Sequence, residues 1–267
     1  MRSFAFHSPT SLDEVSALIA GAADSMPLAG GMTLLPTIKQ RLAAPVALID
    51  LSKIPQVSGI SINDGVLTVG AMTRHVEVAE SGLVRKHVPV LASLAAGIGD
   101  PAVRNRGTIG GSVANNDPSA AYPAAVLALD ATVVTDRREI PADAFFKGLF
   151  TTALEAGEII TSLRFPVPAA AGYAKFKSPA SRYAVVGVCV AKTAGKVRVA
   201  VTGAGPCVFR VGAMETVLEI EFAPNAIAAI KLNSEALNSD IHADADYRAH
   251  LVTVMAKKAV KAALQIS

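Results

Sequence analysis

The sequence predicts a mixed α+β protein in two parts, and three observations carry that prediction. Strand-like runs such as VALIDLS and GVLTVGA alternate with amphipathic helical stretches through the first part of the chain. A compositional change falls at residues 164–181, RFPVPAAAGYAKFKSPAS, and places a boundary near Ala170. After it the chain turns to paired β-rich segments and ends in a long stretch of helical spacing. The 267 residues are 51% hydrophobic and 18% charged, enough apolar material for at least one full-sized core and too much for a disordered chain.

The elements follow in order. TSLDEVSALIA (10–20) opens with a cap at Thr10 or Ser11 and sets Leu12, Val15, Leu18 and Ile19 on one helical face. MPLAGGMTLLPTIKQRLAAP reads as a strand, a tight glycine turn and a second amphipathic helix with Leu34, Leu35, Ile38 and Leu42 on its apolar face and Thr33 at its N-cap. VALIDLS and GVLTVGA are strands, and TRHVEVAES and VPVLASLAAGI are helical. YPAAVLALDATVVT is a helix followed by a strand, and GEIITSLRFPVP is a strand stopped by prolines. YAVVGVCVAKTAGKVRVAVTGAG holds two strands about a glycine-containing turn. YRAHLVTVMAKKAVKAALQ is a terminal helix with a solvated lysine face.

Whole-chain properties exclude several functions. The balance of 25 Lys+Arg against 22 Asp+Glu leaves a formal charge of +3, and the basic residues are scattered, which gives nucleic-acid binding little support. Cys189 and Cys207 lie far apart with no CxxC pairing, so they read as reduced thiols and not as a disulfide, zinc or iron–sulfur framework. The N-terminal MRSFAFHSPTSLDEV lacks a signal-type apolar core, and the longest apolar runs are too short to cross a bilayer, so the cytoplasm is the expected location. His7, His75, His87, His242 and His250 show no metal-ligand spacing and are assigned no chemistry. Neither a metal site nor a catalytic acid, base or nucleophile is expected.

Two glycine pairs carry the functional signal. LAGGMT (28–33) and GTIGGSV (107–113) each follow apolar residues and precede a hydroxyl side chain. Glycine lets backbone N–H groups converge without an intervening Cβ, the arrangement a phosphate or pyrophosphate oxygen requires. A lone glycine pair more often serves as a plain turn or a close backbone contact. Neither stretch is GxGxxG and no GxxxxGK[ST] is present, so dinucleotide binding of the Rossmann type and P-loop binding are unsupported.

With those motifs in view, PLAGGMTLLPTIKQRLAAPVALIDLSKI, IGDPAVRNRGTIGGSVANNDPSAAYPAAVLALDA and SRYAVVGVCVA together resemble the FAD-binding medium subunit of molybdenum hydroxylases, the carbon monoxide dehydrogenase and xanthine dehydrogenase family. The resemblance runs over nearly the whole chain. It implies a two-part FAD-binding domain of the vanillyl-alcohol-oxidase (PCMH) type at residues 1–170, with subdomains of about 1–52 and 53–170, and a smaller α+β domain of antiparallel strands and helices at 171–267. It further implies that Ala29, Gly30, Gly31, Met32 and Thr33 wrap the FAD pyrophosphate from one side and Thr108, Ile109, Gly110, Gly111 and Ser112 from the other. Ile98 and Ile159 match cofactor-contacting positions, for which ordinary core packing is an equal alternative. Lys177 matches a cofactor-contacting lysine, and Tyr183 an aromatic that lies against the isoalloxazine ring in some members; taken alone, Lys177 reads as a solvated surface charge and Tyr183 as a half-buried packing residue. Arg104 and Arg106 either fix the second loop, meet a neighbouring subunit or are simply exposed, and Asp117 braces its loop or forms a turn before Pro118.

One departure stands out: Ala121 occupies a position where many members carry a carboxylate near the cofactor. Losing one hydrogen bond changes binding by about 0.5–1.5 kcal/mol, so FAD is still expected to bind. The implied function is an FAD-carrying electron-transfer subunit, partnered by a large molybdopterin-binding subunit and a small [2Fe-2S] subunit in a heterotrimer or a dimer of heterotrimers. Electrons would leave for an external acceptor such as NAD, a quinone or oxygen. The shortage of cysteines argues against the extra cluster of the hydroxybenzoyl-CoA reductase branch. Two alternatives differ in class: a self-sufficient FAD-dependent reductase or oxidase similar in cofactor fold to the UDP-N-acetylenolpyruvoylglucosamine reductases, and a flavin-free assembly module.

Overall fold

The computed structural model describes residues 2–266. Short apolar runs separated by two helices build a small parallel sheet first. β1 (Ala5–His7), α1 (Leu12–Gly21), β2 (Ser25–Leu28), α2 (Leu34–Lys39) and β3 (Ala47–Asp50) give the strand order β1-β3-β2, with both pairings parallel. The Ser11 hydroxyl caps α1 by accepting from the Glu14 N–H at 3.3 Å, and the Thr10 N–H donates to the Glu14 carboxylate at 2.8 Å. Val15 is buried, with Leu12, Leu18 and Ile19 packed around it against Ile49, Leu51 and Ile54, as the helical spacing predicts. The second helix is shorter than its apolar pattern. It stops at Lys39 because Arg41 turns to φ +63°, which leaves Leu42 beyond the helix and 75% exposed instead of on its buried face.

Next comes a mixed layer: β4 (Ile60–Asn63), β5 (Val66–Gly70), α3 (His75–Glu80), α4 (Gly82–His87), α5 (Pro89–Ala96), α6 (Pro101–Arg106), α7 (Ile109–Asn115), α8 (Tyr122–Ala128), β6 (Thr132–Thr135), β7 (Glu139–Pro141), α9 (Ala142–Phe145), β8 (Phe146–Gly148), β9 (Thr151–Thr152) and β10 (Ile160–Pro166). Its main sheet has the order β4-β5-β10-β6-β7, so β10 returns from far along the chain to the centre, antiparallel to both neighbours. Leu67, Val69, Val133, Leu163 and Phe165 bury against α5 and α8, and every residue of α8 is buried.

The last part comprises β11 (Ala170–Lys177), β12 (Ala184–Thr193), β13 (Lys196–Thr202), β14 (Phe209–Arg210), α10 (Gly212–Ile220) and α11 (Ala245–Ile266). The four strands pair antiparallel in chain order. β12 explains why AVVGVCVA reads as a continuous apolar run: both of its faces are covered. Val188 and Val190 bury against α10 and α11, whereas Cys189 and Ala191 join the core that contains α8. Among the described residues no helix is long and apolar enough to cross a membrane.

Candidate functional site

One cleft of about 860 Å³ lies where these parts meet, near the top of the roughly 300–1,000 Å³ range of small-molecule and cofactor sites. The β2–α2 turn contributes Ala29, Gly30, Gly31, Met32 and Thr33, and the start of α7 contributes Thr108, Gly110, Gly111 and Ser112. Ile98, Ile159, Lys175 and the Ala180–Tyr183 strap complete the wall.

The first turn is shaped by two glycines. Gly31 has φ +72°, and a Cβ on Gly30 would overlap the Arg106 carbonyl oxygen, so the loop and α6 meet only because that side chain is absent. Thr33 occupies the N-cap position of α2, but its hydroxyl makes no capping bond. Among the described residues, no protein acceptor takes a hydrogen bond from the backbone N–H of Gly30, Gly31, Met32 or Thr33. Four consecutive unspent donors on a cleft wall form a cradle for an anion.

The second glycine pair works differently. It is the first turn of α7 itself, capped by Thr108, whose Oγ1 accepts from the Gly111 N–H at 3.2 Å. The N–H groups of Ile109, Gly110 and Ser112 donate to Thr73 O (3.0 Å), Ala71 O (2.8 Å) and Thr108 O (3.1 Å). This wall therefore offers lack of bulk and the side-chain groups of Thr108, Ser112 and Asn115, while the free backbone donors come from the wall opposite. The two cradles expected from the sequence are not equivalent.

Twelve of the fourteen cofactor positions expected from the sequence line the cleft; Ile109 and Lys177 do not. Ile109 is fully buried in the core beneath α7, because the residue after an N-cap on this face points inward. Lys177 is exposed at the end of β11, past an irregularity between Phe176 and Lys177, and Lys175 lines the cleft in its place. The Lys175 ammonium donates to Gly97 O at 2.7 Å, and burial, with nearby Lys177, lowers its pKa. Tyr183 is half exposed at the cleft mouth, its pKa raised by burial and by Asp117. The strap before it is closed by Ser178 N–H donating to Tyr183 O at 2.8 Å, with Arg182 at φ +61°.

The neighbouring charges act as braces. The Arg104 guanidinium donates to Ile98 O (3.0 Å) and Gly99 O (3.3 Å), fixing the loop that carries Ile98. Arg106 is exposed and contributes its carbonyl beneath Gly30. Asp117 Oδ1 accepts from the Ser119 N–H at 2.8 Å, which is turn formation, and Asp117 also lines the cleft. Ala121 lines the cleft too and presents a methyl there.

Two lining groups escaped the sequence reading. Glu158 accepts from the Arg138 guanidinium, the Thr135 hydroxyl and the Glu155 N–H, which depresses its pKa to about 2 and locks the wall next to Ile159. His75 lies beside Gly107, with Tyr122 against its ring. Neither had a spacing signal. Both became visible only when distant segments met.

Fold and site together define a class: a mixed α+β protein with a cofactor-sized cleft between a donor-rich glycine turn and a small-residue helix start. The comparisons with known proteins give the family. The family model described as the FAD binding domain in molybdopterin dehydrogenase matches residues 2–168. The carbon monoxide dehydrogenase medium chain of Hydrogenophaga pseudoflava is 36% identical, with 97% of this chain and 96% of that one covered. The nicotine 6-hydroxylase medium subunit of Paenarthrobacter nicotinovorans is 35% identical, covering 96% and 95%. Among solved structures, carbon monoxide dehydrogenase from H. pseudoflava superposes with a TM-score of 0.87 at 35% identity over 99% and 98% of the two chains. Quinoline 2-oxidoreductase from Pseudomonas putida 86 gives 0.89 at 31% identity, again over 99% and 98%. The chain belongs to the FAD-binding medium subunits of the molybdopterin dehydrogenases, the carbon monoxide and xanthine dehydrogenase family, and is an oxidoreductase subunit with an FAD-binding domain.

Proposed function

We propose that this chain is the FAD-carrying electron-transfer subunit of a cytoplasmic heterotrimer. Electrons released at a molybdenum cofactor in a large subunit would pass through the [2Fe-2S] clusters of a small subunit to the cleft and on to an external acceptor. The single observation that carries the reading is the row of unspent N–H groups at Gly30–Thr33 facing the small-residue start of α7 across one cleft. The medium-chain names of full-length relatives support the companions, and the free thiols of Cys189 and Cys207 suit a reducing compartment.

FAD, when bound, supplies exchange between one-electron and two-electron carriers. The chain's own residues bind and orient it. In this reading residues 1–170 hold the cofactor and 171–267 cover it. The Gly30–Thr33 donors take the diphosphate charge, joined by Ala29 at the edge of the turn. Thr108, Gly110, Gly111 and Ser112 allow close approach, and Ile109 anchors that helix from beneath. Ile98 and Ile159 present apolar surface, and Tyr183 packs against the ring system and limits access to one face. Lys175 places positive charge in the cleft wall, and Lys177 adds charge at the end of β11 outside it.

Gentle isolation of the native complex tests the reading. Yellow protein should co-purify with an iron–sulfur polypeptide and a molybdenum polypeptide. Recovery as a lone chain that turns over a small substrate by itself would instead mark a self-sufficient flavoenzyme.

A further inference from the structure

The α7 wall of the cleft has a shortage of donors. Its backbone N–H groups at Ile109, Gly110, Gly111 and Ser112 are consumed by Thr73, Ala71 and Thr108, so a polar cofactor lying against the first turn would find only the hydroxyls of Thr108 and Ser112, with the Asn115 amide at the far end of the helix. Burying acceptor atoms of a ligand without donors costs affinity. Next to that first turn, beside Gly107, the His75 imidazole also lines the cleft, and the sequence pattern gives it no role.

We propose that His75 is a cofactor-binding residue, a neutral hydrogen-bond donor whose Nε2–H serves the FAD from the wall beside Gly107. The inference rests on the FAD reading above. His75 is the first residue of α3 and only 5% exposed. Its backbone N–H donates to Gly107 O at 2.9 Å, which ties the residue to the glycine loop, and its ring packs 5.3 Å from that of Tyr122 at 48°. Nε2 is the atom next to the glycine loop: a Cβ on Gly107 would stand 2.6 Å from it. Glycine at 107 thus keeps this nitrogen uncovered.

The two ring nitrogens have different surroundings. Nδ1 is sealed from solvent with no partner, and the Tyr122 hydroxyl is sealed and unpartnered as well. An imidazole with one proton carries it on one nitrogen and a lone pair on the other. A buried N–H with no acceptor is the rarer and costlier arrangement, so the proton belongs on Nε2. Burial and the nearby Arg104 charge hold the His75 pKa at about 4, which keeps the ring neutral at physiological pH. Such a group donates one hydrogen bond to a polar oxygen without adding charge to the site.

FAD titration of the flavin-depleted full chain, followed by flavin fluorescence, tests the assignment. His75→Phe should weaken FAD binding roughly 5- to 30-fold, the cost of leaving one buried acceptor of the ligand without a donor. His75→Gln, which keeps a donor, should stay within about threefold of wild type, and Tyr122→Phe should bind as wild type does. Wild-type affinity in His75→Phe overturns the proposal while leaving the FAD reading intact, as does equal weakening in His75→Phe, His75→Gln and Tyr122→Phe, which would mark packing alone. Failure of the wild-type chain to bind FAD sinks the parent reading and this one with it. A measurement without substitution covers the case in which His75→Phe does not fold. With 15N-labelled histidine, one of the five imidazoles should be an Nε2–H tautomer whose Nε2 resonance moves on FAD addition, and an unmoved or Nδ1–H ring overturns the assignment.

Discussion

At the scale of single residues, the site depends on what is missing as much as on what is present. Gly30 lies against the Arg106 carbonyl so closely that a methyl group cannot be added without parting the β2–α2 turn from α6. Gly30→Ala should therefore lose FAD from the purified protein and lower the melting temperature, as strain in packed backbone typically costs about 1–3 kcal/mol. Gly21→Ala is the control, since nothing lies within 4 Å of its Cβ and it ends a helix; it should be neutral or slightly stabilising. Glu158 makes a pH-dependent contribution of known sign. Its folded pKa of about 2 lies below the ordinary carboxylate value of 4.5, so its stabilisation is fully present above about pH 4.5 and is lost as the pH falls toward 2. Glu158→Gln should destabilise the protein at pH 7 by about 1–3 kcal/mol, and thermal melts should show the gap from wild type closing between pH 4.5 and 2.

At the scale of elements, legibility followed the range of the interactions. α1, β3, β5, α5, α8, β12 and β13 are each fixed by their own pattern of caps, apolar spacing or β-branched residues, and each stands where that pattern puts it. Leu42 was misplaced because the φ of Arg41, which ends α2, leaves no mark in the apolar spacing. GTIGGSV was readable as permissive backbone, but not as a helix whose donors are already spent, because Ala71 and Thr73, which accept from it, lie more than thirty residues away. The same limit hid Lys175: an irregularity in the β11–β12 pairing, not the motif, decides which lysine reaches the cleft. Gly172 in β11 shows how such long-range closeness can be tested. A Cβ there would overlap the Ala259 carbonyl of α11, so the terminal helix rides directly on the strand. Gly172→Val should loosen α11 and lower stability by roughly 1–3 kcal/mol, read as faster amide exchange along 245–265.

At the scale of the whole molecule, the junction legible in the composition is not a boundary in the core. Ala171, Cys189, Ala191 and Ala200 of the last sheet belong to the same buried cluster as Tyr122, Val126 and Leu129 of α8 and Leu91 and Leu94 of α5. Ion pairs cross the junction as well: Arg198 reaches Asp130 (2.7 Å) and Asp143 (2.8 Å), and Arg210 reaches Asp143 at 3.2 Å. Those pairs are partly solvated and contribute little each; the shared apolar surface is what joins the parts. The family model ends at residue 168, yet a fragment cut there would leave the outer side of α8, apolar along its whole length, open to water. The full chain should therefore unfold in denaturant as one transition, with far-ultraviolet circular dichroism and tyrosine fluorescence coinciding. The isolated fragment 1–168 should aggregate or remain molten. Two separated transitions, or a monomeric fragment that melts cooperatively, would show that the sheets are energetically independent and that the cleft is built between two rigid bodies instead of within one.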